Sequence, residues 1–202
     1  MYGVAIVYED VNKNRKLDDT DSQYATIIAK SLTTNSTTNY GSFKVTKGKN
    51  YIIQFIGLID GPQPLSLVPY KATVAPVNTK AAGSAVKNNV PTKPLKLKKV
   101  NAKTWTATGQ LNSKVTNGDQ DWYVFDVKKA FNGYITMENG KEIDGVISLY
   151  QNGKRIQYSD NYGAGQAETM PIHLKKGKYY IKVNDYYGNS TIKPYTLKVQ
   201  SK

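Results

Sequence analysis

One phrase occurs twice in this chain. Thr46 to Phe55 reads TKGKNYIIQF, and Lys175 to Val183 reads KKGKYYIKV. Aligned on Gly48 and Gly177, the likeness runs in both directions. Upstream, YGVAIVYEDVNKN (Tyr2 to Asn14) answers DGVISLYQNGKR (Asp144 to Arg155), an apolar alternating run that ends in Tyr and a polar turn. Downstream, VPYKATV (Val68 to Val74) answers KPYTLKV (Lys193 to Val199). Three blocks in one order imply that the chain builds the same supersecondary unit twice. Tyr8 and Gly48 are 40 positions apart and Tyr150 and Gly177 only 27, so the first copy carries a 13-residue insertion. Such loops are tolerated because closure entropy grows slowly with length.

Each block alternates apolar and polar residues with period two, and no window keeps the i, i+3, i+4 stripe of a helix. With 16 Tyr, 16 Gly and 39% hydrophobic residues among 202, the expected class is all-β: two antiparallel, jelly-roll-like β-sandwich domains joined by a Lys/Pro-rich linker. The boundaries read as a partial domain over 1–77 with an acidic loop insertion, a linker over 78–103, and a full domain over 104–202. The linker contains no acidic residue, has little to bury and reads as an extended tether, with an edge strand as the alternative for its tail, PLKLKKV. The second copy has a long front, Thr104 to Gly140, with no counterpart before Tyr2. The first copy therefore reads as truncated, to be completed by a noncanonical arrangement, by the linker or by an upstream segment. The copies also differ in phase: Ile181 and Val183 share a face in the second, whereas Tyr51, Ile53 and Phe55 read as the inward set of the first. Core candidates in the second domain are Trp122, Phe125, Ile147, Leu149, Ile181, Val183, Leu197 and Val199.

The order NGDQDWYVFDV, GYITM, DGVISLYQNGK, YSDN, LKKGKYYIKV, PYTLKV resembles the bacterial pre-peptidase C-terminal domain, over about Thr104 to Ser201, and in its latter half over Tyr2 to Val74. These modules follow the catalytic domains of secreted proteases and are akin to the collagen-binding domains of clostridial collagenases. The resemblance implies a sandwich without chemistry of its own.

Two groups of residues stand out as sites. In DVNKNRKLDDTD, Asp10, Asn12, Asn14, the Lys16 carbonyl, Asp18 and Asp21 occupy positions 1, 3, 5, 7, 9 and 12, the spacing by which a twelve-residue loop wraps calcium. It is similar to the calcium loops of dockerins and of B-type repeats in surface adhesins, with Arg15 in place of the usual Gly and Asp21 in place of the usual Glu; a polar hairpin loop is the alternative. Asp119 and Asp121 match acidic positions that hold calcium in the collagen-binding relatives, but KLKKVNAK replaces the acidic linker there. The second group is aromatic: Tyr158, Tyr162, Tyr180, Tyr186 and Tyr187, with Tyr179 beside them, as a face for stacking on a polymer. His173 is the only histidine. Without a base, nucleophile and carboxylate in a recognisable set, it reads as an ordinary strand residue and not as part of a catalytic triad.

The net charge is +13, with Arg15 and Arg155 the only arginines. That favours polyanions in general and disfavours specific nucleic-acid readout, which leans on bidentate Arg. No Cys is present, and no apolar run reaches the length of a membrane span. The combined expectation is a secreted or cell-surface bacterial chain, the accessory part of a peptidase and not an enzyme itself. It would hold a parent protease catalytic domain at an extracellular protein polymer or an anionic cell-wall polymer. The alternative is a spacer domain of a surface adhesin.

Overall fold

The computed structural model describes residues 2–29, 43, 45–58, 71–75, 88–111, 119–191 and 193–202. The chain divides into two compact units, Met1–Pro76 and Val77–Lys202, and every regular element among the described residues is a strand.

In the first unit, β1 (Tyr2–Asp10), β2 (Ser22–Ala29) and β3 (Asn50–Leu58) form one antiparallel sheet in the order β2-β1-β3. No second sheet covers it among the described residues. Residues 71–75 lie outside any strand, although their block matches a strand in the second unit; the front of that block and residues 78–87 of the expected linker lie outside the described residues.

The second unit begins with β4 (Leu95–Lys96), β5 (Lys98–Asn101), β6 (Thr104–Gly109), β7 (Gln120–Val127) and β8 (Phe131–Glu138). It continues with β9 (Gly145–Gln151), β10 (Lys154–Ser159), β11 (Glu168–Leu174), β12 (Gly177–Asp185) and β13 (Tyr195–Ser201). Two five-stranded sheets result, β10-β9-β12-β7-β4 and β11-β8-β13-β6-β5, antiparallel throughout except where the two-residue β4 runs parallel to β7. Alternation explains their packing: along β12, Tyr179, Ile181 and Val183 are buried while Lys178 is exposed and Tyr180 and Lys182 are half-buried. One apolar cluster joins Tyr123, Phe125, Ile147, Leu149 and Ile181 of the first sheet to Ile135, Met137, Ile172, Leu197 and Val199 of the second. This is a β-sandwich. The turn between β9 and β10 runs through Asn152 (φ 51°) and Gly153 (φ 75°), the left-handed pair that Asn-Gly tolerates best.

Residues 95–101, the tail of the expected linker, take the edge-strand alternative and close one side of this sandwich. Leu97 is 3% exposed and its N–H bonds the Val124 carbonyl at 3.0 Å, so the chain crosses from the edge of one sheet to the edge of the other over a buried leucine. One correction concerns Trp122. It is 8% exposed, yet its register partner is Lys182, on the outer face, while Tyr123 opposite Ile181 supplies the core. Strand period two forces the choice, since Trp122 and Phe125 cannot share a face. Phe55, expected to point inward, is 48% exposed.

The phase change between the copies has a cause in register. In the second unit Leu149 pairs with Ile181 and Tyr150 with Tyr180. In the first, Val7 pairs with Ile53 and Tyr8 with Ile52, one residue further along β3 than the Gly48–Gly177 alignment demands. A one-residue slip transfers a strand's side chains to the other face, so Tyr51 and Ile53 share the face of buried Val7, as Ile181 shares that of Leu149.

Candidate binding face and acidic loop

The outer face of β10-β9-β12-β7 is written by the same register. Tyr158, Ser148, Lys182 and Trp122 form one row across four strands, and Arg155, Tyr150, Tyr180 and Val124 form the next. The Trp122 and Tyr150 rings are 4.9 Å apart and the Arg155 guanidinium sits 5.1 Å from the Tyr158 ring centroid. Trp122 Nε1, Ser148 Oγ and Asn184 Oδ1 are buried on this face without a hydrogen-bond partner. These three atoms are covered by their neighbours, so what the face offers a ligand is its aromatic rings and the cations of Arg155 and Lys182. Lys182 adds a cation, and burial, then the Arg155 charge, hold its ammonium below the usual value.

At one end of this face, two buried carboxylates pin the loops that carry the other tyrosines. Asp185, 4% exposed, accepts the N–H groups of Asp144 (2.7 Å), Tyr187 (2.9 Å) and Asn189 (2.7 Å). Glu168, fully buried, accepts the Ser159 hydroxyl (2.5 Å) and the N–H groups of Asn161 and Tyr162. Tyr186 and Tyr187 meet edge to face at 4.9 Å. The Tyr158 hydroxyl donates to Asp160 at 2.7 Å, and burial followed by that acceptor pushes it up to about 12. Asp144 lies among Asp160, Asp185 and Glu168; burial first, then those charges, raise it to about 6. Of the five expected tyrosines, Tyr158 and Tyr180 lie on the sheet face and Tyr186 and Tyr187 at its end. Tyr162 is 48% exposed in the 160–167 turn, with no ring partner among the described residues. Tyr179 faces the core, packing on Phe125 at 5.8 Å. Trp122, Tyr150 and Ser148 were missed; the alternation of the strands they sit on was the signal that could have found them.

Asp121 belongs to the interior. Fully buried, it accepts the Tyr195 hydroxyl at 2.5 Å, and Tyr195 meets the Tyr123 hydroxyl at 2.6 Å. Burial is the first cause that drives Tyr195 well above the ordinary tyrosine value. A methyl added at Gly109 would sit 2.2 Å from the Tyr123 hydroxyl. Asp119, 1% exposed, accepts the Gln120 N–H. His173 pairs through Nδ1 with Asn132 Oδ1 at 2.9 Å on the exposed side of β11.

In the first unit, the acidic loop folds on its own side chains. Asp10, 2% exposed, accepts the N–H groups of Asn14 and Arg15, both at 3.1 Å, and Asp21 those of Val11 (3.2 Å) and Asp18 (3.0 Å). The amides of Asn12 and Asn14 both donate to Asp18 Oδ2, at 3.1 and 2.6 Å. Thr20, first through its hydroxyl, holds the exposed Asp18 carboxyl well below its usual value. Lys13 and Arg15 adopt positive φ, 59° and 63°, which is why Gly is the usual residue at the latter place. Among the described residues no three His, Cys, Asp or Glu side chains gather as metal ligands. The side-chain oxygens of Asn12 and Asn14 accept the N–H groups of Asn14 (3.0 Å) and Lys16 (2.7 Å), so it is their amide nitrogens that face Asp18.

No family model and no curated protein matches the sequence. Among solved structures, the pre-peptidase C-terminal domain of a collagenase from Bacillus anthracis aligns over 53% of this chain and 92% of its own, at 25% identity and a TM-score of 0.40. PliG, a periplasmic inhibitor of g-type lysozyme from Aeromonas hydrophila, aligns over 54% of this chain and 96% of its own at 18% identity and a TM-score of 0.38. A beta-glucosidase from Paenibacillus barengoltzii aligns over 56% of this chain and 12% of its own at 15% identity and a TM-score of 0.31. All three scores fall below 0.5, so the functional reading rests on this chain's own residues. No helix among the described residues is long and apolar enough to cross a membrane.

Proposed function

We propose that this chain is the non-catalytic targeting part of a secreted bacterial protease, a partial and a complete sandwich in tandem, which holds its parent enzyme on a polymer. The observation that carries the reading is the outer face of β10-β9-β12-β7, where Tyr150, Tyr158 and Tyr180 stand in two adjacent rows beside Arg155 and Lys182. Aromatic rings lose little entropy on contact and stack on the planar amides of an extended protein polymer. Charge supports an anionic wall polymer as the second partner: the second unit carries 20 Lys and Arg against 9 Asp and Glu, net +11, the first 8 against 6, net +2. A weak contact on a tether acts through effective concentration. The duplicated blocks and the pre-peptidase C-terminal resemblance of Thr104 to Ser201 support the same reading.

Co-sedimentation of the purified chain with insoluble collagen, elastin and bacterial cell wall tests it. Retention on one of these, reduced severalfold by Tyr150→Ser with Tyr180→Ser, is the expected result; retention on none of them would leave the spacer reading in its place. Calcium belongs to the proposal as a stiffener of the first unit, held by Asn12, Asn14 and Asp18 with Asp10 and Asp21 behind them. Millimolar calcium should raise the first unit's melting temperature, and Asp18→Ala should remove the rise.

A further inference from the structure

The two cations on the aromatic face have no counterion among the described residues. Elsewhere on the same sheet a lysine is matched by register: Lys178 stands opposite Asp126. Lys182 stands instead between Ser148 and Trp122, and Arg155 opposite Tyr150. The one ion pair among the described residues joins Lys49 to Glu9 in the first unit. Arg155 is exposed but Lys182 is half-buried, and a charge drawn out of water is ordinarily paired. The two cations also converge. The Arg155 guanidinium, 5.1 Å from the Tyr158 ring centroid, reaches out of its own row into the row that holds Lys182. Between Tyr158 and Lys182 stands Ser148, short and fully buried beneath its longer neighbours. Burial, then Arg155, holds the Lys182 ammonium down, and an anion set between the two cations would relieve both costs.

We propose that Arg155 and Lys182 seat the carboxylate of an acidic side chain, so that the polymer segment held on this face is an acidic polypeptide. The proposal rests on this face being the docking surface and adds what the docked segment must carry. Two observations favour a carboxylate on a peptide over a run of phosphates. The guanidinium fork matches a carboxylate bidentately, while Tyr150, Tyr158 and Tyr180 around it suit the planar amides on either side. Carboxylates also bound the positive area at both ends: Asp126 lies in the row beyond Tyr180, and Asp160 accepts the Tyr158 hydroxyl at 2.7 Å. A continuous polyanion laid along the strands would meet one or the other, whereas a polypeptide with a single acidic side chain at the centre meets neither.

Fluorescence anisotropy at physiological salt tests this with three labelled probes: a peptide in which glutamate recurs among uncharged residues, its glutamine counterpart, and polyphosphate. The glutamate peptide should bind the wild-type chain about three- to tenfold more tightly than the glutamine peptide, and Arg155→Gln with Lys182→Gln should erase that difference. Lys198→Gln, at a half-buried lysine of β13 in the other sheet, should leave it. The reversed pair, Arg155→Glu with Lys182→Glu, should pass the preference to a lysine-bearing peptide, which a merely destabilised chain would not do. Equal binding of the two peptides, a difference that survives in the neutral pair or is lost with Lys198→Gln, or polyphosphate binding that leans on Arg155 and Lys182 as heavily as the glutamate peptide does would each overturn the proposal. Tyr150→Ser with Tyr180→Ser, run on the polymer alongside, distinguishes the two readings. Retention lost with the tyrosines and untouched by the cation variants overturns the carboxylate seat and leaves the docking face; retention indifferent to both sets overturns both.

Discussion

The two units use the same three strands in the same order, β2-β1-β3 in one and β10-β9-β12 in the other, and they differ in what covers them. In the second unit a five-stranded sheet lies over the inner face, and Ile147, Leu149, Ile181 and Val183 are fully buried. In the first, Val7 is the one buried hydrophobic residue among the described positions; Tyr51 and Ile53 are half-buried and Phe55 is exposed. Strand pairing is thus dictated locally by alternation and the Gly-Lys turn, whereas stability comes from the second layer. The slipped register of β3 is tolerated where less is packed against it. The same slip under β13 and β8 would turn Lys178 and Lys182 into the core.

Paired truncations should widen the contrast most. Ile181→Ala removes a fully buried side chain and should cost the second unit about 2–5 kcal/mol. Ile53→Ala, at the register-matched place, should cost the first about 1 kcal/mol, in proportion to its partial burial. Chemical denaturation followed by unit-specific amide signals separates the two; equal losses would mean that the first unit has a covered core after all. Next is Tyr195→Phe, which leaves the buried Asp121 carboxylate without the hydroxyl it accepts and should lower stability by about 1–3 kcal/mol. Gly109→Ala should cost a similar about 1–3 kcal/mol by crowding the Tyr123 hydroxyl. Neither should alter the first unit's transition.

A smaller effect comes from Asp144, raised from 3.8 to about 6 in the fold. The folded state then holds its proton more tightly than the unfolded chain. This group's contribution is therefore most favourable below about 4, is lost as pH rises through about 6, and stays absent above. Asp144→Asn should flatten the second unit's melting temperature over that interval and leave the first unit's profile unchanged. A wild-type profile that rises from pH 4 to 6 through this residue would reverse the assigned cause.

Much of the second unit was legible because its strands alternate cleanly. Phe125, Ile147, Leu149, Ile181, Val183, Leu197 and Val199 are all in the core. The exceptions share one origin, which is that contact across sheets leaves no local mark. Leu97 is held by strands far away in sequence, and lysines on either side disguised it as linker. Trp122 reads as core by size and is buried instead beneath Tyr150 on the outer face. Asp185 and Glu168 carry no local mark of burial, and only the fold shows the backbone N–H groups that donate to them. The slip of β3 was visible as a change of phase, but which strand had moved could be read only from its pairing with β1.

Tyrosine-selective surface labelling of the chain, alone and saturated with the polymer that retains it, is the most direct test of the targeting reading. Protection of Tyr158 and Tyr180, with Tyr8, Tyr24 and Tyr51 labelled as before, is the result expected if the second unit's aromatic face holds the polymer. Protection confined to the first unit, or bound polymer with Tyr158 and Tyr180 still fully labelled, would contradict it.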